Sequence, residues 1–208
     1  MIESIENAIQ LAVLICCSAV ALYRAIRGRN KAWLLLAFFY GSYALGDIYW
    51  QTWLILFGQA PGVPIVSDLS WYAAALFLFL LTREAAFPEG GGLSGRLLPW
   101  VGPAFTAAMA VFYMRWGKIV SNVIYAALMG LLLYEAIDGL MSLKGGGHAG
   151  RRGLCAALLA YCLMVYAAWT ASCFWFDDGL LNPYLWFDFM QTVCFILFLP
   201  ATKRAVAA

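Results

Sequence analysis

Charge is scarce in this sequence. Asp, Glu, Lys and Arg make up 12% of the 208 residues, against about 25% in soluble domains, while 64% are hydrophobic against about 45–50%. That balance excludes an ordinary water-soluble globule and points to a membrane chain. The net charge of +2 is too small for a nucleic-acid binder. Histidine is nearly absent: His148 stands alone in a Gly-rich stretch, with no second imidazole for a metal or a catalytic dyad. The six cysteines (Cys16, Cys17, Cys155, Cys162, Cys173, Cys194) all fall in apolar segments, and none forms a Cys-x-x-Cys pair. They read as small apolar filler, not as a disulfide framework or a zinc site. Gly145–Gly147 follows no strand and carries no P-loop lysine, so it reads as a turn and not a phosphate cradle. No cofactor is expected. The start lacks the positive flank of a signal peptide: Glu3 and Glu6 precede the first apolar run, which reads as a retained helix.

Apolar runs are what the chain has most of. A membrane-spanning helix needs about 20 mostly apolar residues. Seven segments meet that expectation: 6–26, 32–57, 64–86, 97–115, 119–142, 153–176 and 183–203. The breaks have turn chemistry: Arg27-Gly28-Arg29-Asn30, Gly58 to Pro64, Pro88 to Gly92, Trp116-Gly117, Gly145-Gly146-Gly147 and Asp177-Asp178-Gly179. Eleven of the Lys and Arg residues fall after segments 1, 3 and 5 and at the C-terminus; only Arg115 and Lys118 fall on the other side. The positive-inside rule then gives a multi-pass cell-membrane protein with its N-terminus outside and C-terminus cytoplasmic.

Acids at membrane depth mark the candidate site. Asp47 lies inside the second segment, with Tyr40, Tyr43 and Trp50/Gln51 on the same helix face. An ionised side chain there costs at least a few kcal/mol, which makes it a functional-site hypothesis. The third segment offers Asp68, Trp71 and Tyr72, and the seventh Tyr184, Asp188, Gln191 and Thr192. Each acid is followed at i+3 and i+4 by an aromatic or hydrogen-bonding residue. The sixth segment adds Tyr166, Trp169, Thr170 and Cys173, and the fifth adds Ser121, Asn122 and Tyr125. The expected ligand-binding set is Asp47, Trp50, Gln51, Asp68, Trp71, Tyr72, Trp169, Tyr184, Asp188 and Gln191.

Carboxylates beside aromatic faces, with no buried base, suit a small-molecule cation or amine, since ring quadrupoles attract a cation by about 2 kcal/mol when desolvated. A polyol also fits, and a coupling proton or sodium ion is a third partner for these acids. Each residue has a plainer role beside this one. Asp68 follows Ser67 at a helix start and suits the N-terminal dipole. Asp188 can hydrogen-bond a neighbouring helix. Asp47 can brace helices 2, 3 and 7. Trp116, Trp175 and Trp186 suit an aromatic belt in contact with membrane lipid. Glu135 and Asp138 should pair with the basic loops.

A faint internal repeat runs through the chain. Ala21–Gly28 aligns with Leu132–Gly139, and Thr82–Ala85 with Thr202–Ala205, a register that sets Asp68 on Asp188. The expected fold class is therefore all-α: a polytopic membrane protein of seven transmembrane helices in a 3+1+3 parallel repeat. It forms a single membrane domain over residues 1–208, with units at 1–88 and 119–205 joined by a linker helix at 97–115 that carries Pro99 and Pro103. A homo-oligomer is compatible with this plan.

Leu45-Gly46-Asp47-Ile48-Tyr49-Trp50, then Pro61 and Pro64, then Ser67-Asp68-Leu69-Ser70-Trp71-Tyr72 resembles the multi-helix membrane sensory input modules of bacterial diguanylate cyclases. That resemblance covers helices 2 and 3. It implies a sensor with Asp47 and Asp68 at matching positions, signalling through a partner because the sequence stops at Ala208 without an output domain. The 3+1+3 plan is similar to the SWEET sugar transporters and the related vitamin-precursor transporters. Gly46-Asp47 in a membrane helix also resembles the lysoplasmalogenase-like membrane hydrolases, which would put Asp47 and Asp188 to acid–base work on a lysolipid. Retinal binding is disfavoured, since Lys203 lies at the cytoplasmic end of helix 7. A small-molecule transporter is the favoured expectation, with a stand-alone sensor and an intramembrane lysolipid hydrolase as alternatives, so an enzyme is the less favoured class.

Overall fold

The computed structural model describes residues 2–59, 61–62, 64–87, 96–143, 148–175 and 179–207. The regular elements among them are seven α-helices: α1 (Ile2–Gly28), α2 (Lys31–Phe57), α3 (Ile65–Ala86), α4 (Val101–Tyr113), α5 (Ile119–Ser142), α6 (Ala149–Ser172) and α7 (Pro183–Val206). A 3₁₀ turn, Leu98–Trp100, leads into α4. The expected turns at Pro88–Gly92, Gly145–Gly147 and Asp177-Asp178 lie outside the described residues.

Local chemistry sets the ends. Asn30 caps α2, its side chain accepting the amides of Ala32 and Trp33, and Gly58 closes the helix in the left-handed region at φ 66°. Asn182 caps α7 by accepting from the Tyr184 amide, with Pro183 at the first helical position, where its fixed φ suits a helix start.

Three segments differ from expectation, the first of them starting at Ile2, four residues before 6. The sixth helix spans Ala149–Ser172, starting four residues before 153. Gly150 does not break it: a Cβ there would sit 2.2 Å from the Arg204 carbonyl oxygen, so this glycine permits close packing of α6 on α7. The fourth segment is only 16 residues with its 3₁₀ turn, about 25 Å long, against a hydrocarbon core of about 30 Å.

Five helices are long and apolar enough to cross a membrane: α1 (from Ser4), α3, α5, α6 and α7. Helix α2 has the length, at 27 residues, but carries Asp47, Gln51 and several Tyr and Trp residues and falls outside that group. The outer surface of the bundle exposes Ile15, Leu45, Leu69, Leu76, Leu163 and Ile196, among many others. A continuous apolar exterior of this kind suits lipid and not water.

Six helices pack in a closed order, α1–α2–α3–α5–α6–α7 and back to α1. Helices α3 and α7 also touch each other across the middle, α3 reaches α6, and α7 reaches α2. Helix α4 stands outside this order, seated on α5. It also meets α6 through Tyr113, whose ring stacks on Trp169 with centroids 4.9 Å apart.

The two ends of the bundle differ. One end has ion pairs: Lys31–Glu84 at 2.8 Å, Arg83–Glu135 at 3.1 Å and Arg96–Asp138 at 4.0 Å. Glu135 and Asp138 thus pair with basic residues, as their positions suggest. Above this end the middle of the bundle is filled by Phe39, Tyr161, Phe195 and Phe198, with ring centroids 5.6–6.0 Å apart. The other end is hollow.

Candidate functional site

A cavity of about 780 Å³ occupies the hollow end. The first halves of α1, α3, α5 and α7 and the last halves of α2 and α6 line it, as an up-and-down bundle requires. Pro61, Gly62, Pro64, Gly117 and Trp175, from the connections at that end, form its rim. All ten residues expected from sequence line this one space: Asp47, Trp50, Gln51, Asp68, Trp71, Tyr72, Trp169, Tyr184, Asp188 and Gln191.

Asp47 is 7% exposed. Its Oδ1 accepts the indole N–H of Trp71 at 3.1 Å, and its Oδ2 is buried without a hydrogen-bond partner among the described residues. The local sequence explains this contact. Gly46 has no side chain, and a Cβ there would stand 2.6 Å from Trp71 Nε1, so the glycine lets the indole lie over α2 and reach the next residue's carboxylate. Trp50 and Tyr43 flank the same indole, with centroids 5.8 and 6.3 Å away.

The other two acids are bonded across helix interfaces. Asp68 accepts from Ser121 Oγ of α5 at 3.0 Å, and its own amide bonds the Pro64 carbonyl in the first turn of α3. Asp188 is buried and accepts from Gln10 Nε2 of α1 at 3.0 Å; Glu6 also hydrogen-bonds it. The neighbouring-helix bond expected for Asp188 is therefore present, with α1 as the neighbour. Gln191 Nε2 donates to Tyr43 Oη at 2.5 Å, closing the cavity floor between α7 and α2. Gln51 Nε2 donates to the Asn7 carbonyl and ties α2 to α1.

Not every candidate from the polar stripes faces the cavity. Tyr166 and Thr170 turn towards α4: the Tyr113 and Thr170 hydroxyls lie 2.6 Å apart, and Tyr113 and Tyr166 stack. Thr192 is buried against Gln10, at 3.1 Å. Asn122, Tyr125 and Cys173 do line the space. Sequence reasoning passed over Asn7, Gln10 and Lys118, which also line it. The four-residue step from Glu6 to Gln10, a polar pair on one face of an apolar helix, was the available signal for α1.

The arrangement can hold a small molecule between aromatic faces and charge-balance it with carboxylates. Among the described lining residues Lys118 is the single Lys or Arg, beside the three acids Asp47, Asp68 and Asp188. No family model matches the chain, and no similar curated protein or solved structure was found.

Proposed function

We propose that this protein is a seven-helix membrane transporter that binds a small polar cation in this cavity, with the cavity facing outwards. The observation that carries the reading is Asp47. Its carboxylate is 7% exposed and accepts one indole N–H, while its second oxygen is buried with no hydrogen-bond partner among the described residues, at the edge of a space lined by Trp50 and Trp71. A buried carboxylate without a full set of partners is unfavourable, and an ammonium or a proton is what completes it. The orientation rests on the Lys and Arg bias, which puts the ion-paired end in the cytoplasm.

Transport is preferred to sensing because of how the two halves pack. A two-fold exchange of α1, α2, α3 with α5, α6, α7 maps the closed order of helices onto itself. It also maps the α3–α6 contact onto the α7–α2 contact. The register that sets Ala21 on Leu132 sets Gln10 on Ser121, and the register that sets Thr82 on Thr202 sets Asp68 on Asp188. The seams α1/α7 and α5/α3 then carry corresponding bonds, Gln10 to Asp188 and Ser121 to Asp68, both 3.0 Å. Two parallel repeats with a site between them suit alternating access by rocking of the halves. The apolar plug of Phe39, Tyr161, Phe195 and Phe198 closes the far side.

Uptake into sealed proteoliposomes tests this. Methylamine, tetramethylammonium, glucose, adenosine and a lysophospholipid would be offered to the parent protein and to Asp47→Asn. The expected result is uptake of a cation by the parent, reduced at least about tenfold in the variant, equivalent to about 1.4 kcal/mol. Binding of a cation without uptake would make the protein a sensor, and cleavage of the lysophospholipid would make it a hydrolase.

A further inference from the structure

Two aromatic pockets, each with its own aspartate, share the cavity. The first is Asp47 with Trp50 and Trp71. The second is Asp68 with Tyr72 and Tyr125, whose ring centroids are 6.0 Å apart; Trp169 meets Tyr125 edge-on at 5.0 Å. Trp71 relates the two. It lies three residues after Asp68 on α3 and reaches across to Asp47 on α2. Gly46, next to Asp47, packs on Ser70, two residues after Asp68, so the two acids stand on neighbouring helices within about one turn of each other.

The charges do not balance with one cation. Asp47, Asp68 and Asp188 line the space, against Lys118. An excess of two negative charges remains. Asp188 receives the Gln10 amide, whereas Asp47, which lines the cavity, has its Oδ2 buried without a hydrogen-bond partner among the described residues. Asp68 is half-buried and is held by the neutral Ser121 hydroxyl.

We infer that the cavity takes a linear dication of the alkyl-diamine class, with one ammonium at Asp47 between Trp50 and Trp71 and the other at Asp68 beside Tyr72 and Tyr125. This inference rests on the cation reading of the site and goes one step further, to a ligand with two charged ends. The methylene chain between them would lie along the aromatic walls.

The test is the affinity of the purified protein for 1,4-diaminobutane, butylamine and 1,4-butanediol, measured by calorimetry at one ionic strength. The three share a four-carbon chain and carry two, one and no ammonium groups. The diamine should bind about tenfold tighter than butylamine, a difference of about 1.4 kcal/mol, with the diol weakest. In Asp68→Asn the two amines should bind about equally. Butylamine binding as tightly as the diamine to the parent protein would overturn the inference without recourse to any variant, and so would a diamine preference that survives Asp68→Asn. Equal binding of both amines that still requires Asp47 would remove the dication and leave the cation site standing. Binding of neither amine would remove both.

Discussion

Asp47 and Asp188 have the same side chain and nearly the same burial, yet they do different work. Asp188 is bonded by Gln10 and Glu6 from a neighbouring helix and closes a seam. Among the described residues Asp47 has one donor, Trp71, and one buried oxygen without a partner. The Trp71 N–H is therefore the group that holds the Asp47 carboxylate in place. Replacing it by Phe keeps a ring and removes the donor, so Trp71→Phe should lower unfolding stability by about 1–2 kcal/mol, the usual cost of orphaning a buried acceptor. Denaturation of the purified variant beside the parent measures it. The acids and their flanking aromatics were legible in sequence because the i+3 and i+4 steps put them on single helix faces. Lys118 was not, because it belongs to the site only through tertiary packing, and Gln10 left no trace beyond its four-residue step from Glu6. Tyr166 and Thr170 share the polar character of the cavity residues but sit on the face of α6 that meets α4, and one sequence cannot rank the faces of a helix buried on several sides.

Helix boundaries were legible where caps are chemical. Asn30, Gly58 and Asn182-Pro183 end or start helices where their backbone preferences demand. The start of α6 was misread where a glycine, Gly150, serves packing, whereas Gly102 lay inside an expected segment. Gly150 meets the backbone of α7, and Gly102 of α4 meets α5 so closely that a Cβ would lie 2.7 Å from the Leu133 Cβ. Small residues at helix crossings are a common membrane-protein device, and in a linear sequence they look the same as breaks. Gly46 is the case that touches function. A methyl group there has to displace the Trp71 indole, while the α2 backbone itself accepts alanine readily. Gly46→Ala should therefore weaken amine binding about tenfold, or ~1.4 kcal/mol, and should cost less stability than Trp71→Phe, because alanine returns about 1 kcal/mol of helix propensity. Calorimetric affinity and thermal unfolding of the same preparation separate the two effects.

On the scale of the whole molecule, the bundle is asymmetric from end to end. Ion pairs and a dry aromatic plug close one end, and a polar aromatic cavity opens at the other. Seven helical segments were legible because apolar runs and turns alternate along the chain. The order in which they pack, with α4 outside and α3 touching α7, was not, because the seams depend on residues far apart in sequence. The polar bonds across those seams, Gln10–Asp188 and Ser121–Asp68, hold the two halves of the bundle together around the cavity. Whether that cavity is a cation site is tested most directly by thermal unfolding of the parent and of Asp47→Asn, each with and without butylamine at about 100 times its dissociation constant. Ligand at that level should stabilise the parent by about 2.7 kcal/mol, and it should leave the midpoint of Asp47→Asn unmoved. An equal rise in both proteins, or no rise in the parent with butylamine or any other amine, would mean that Asp47 is a packing group and that the cavity does not recognise cations.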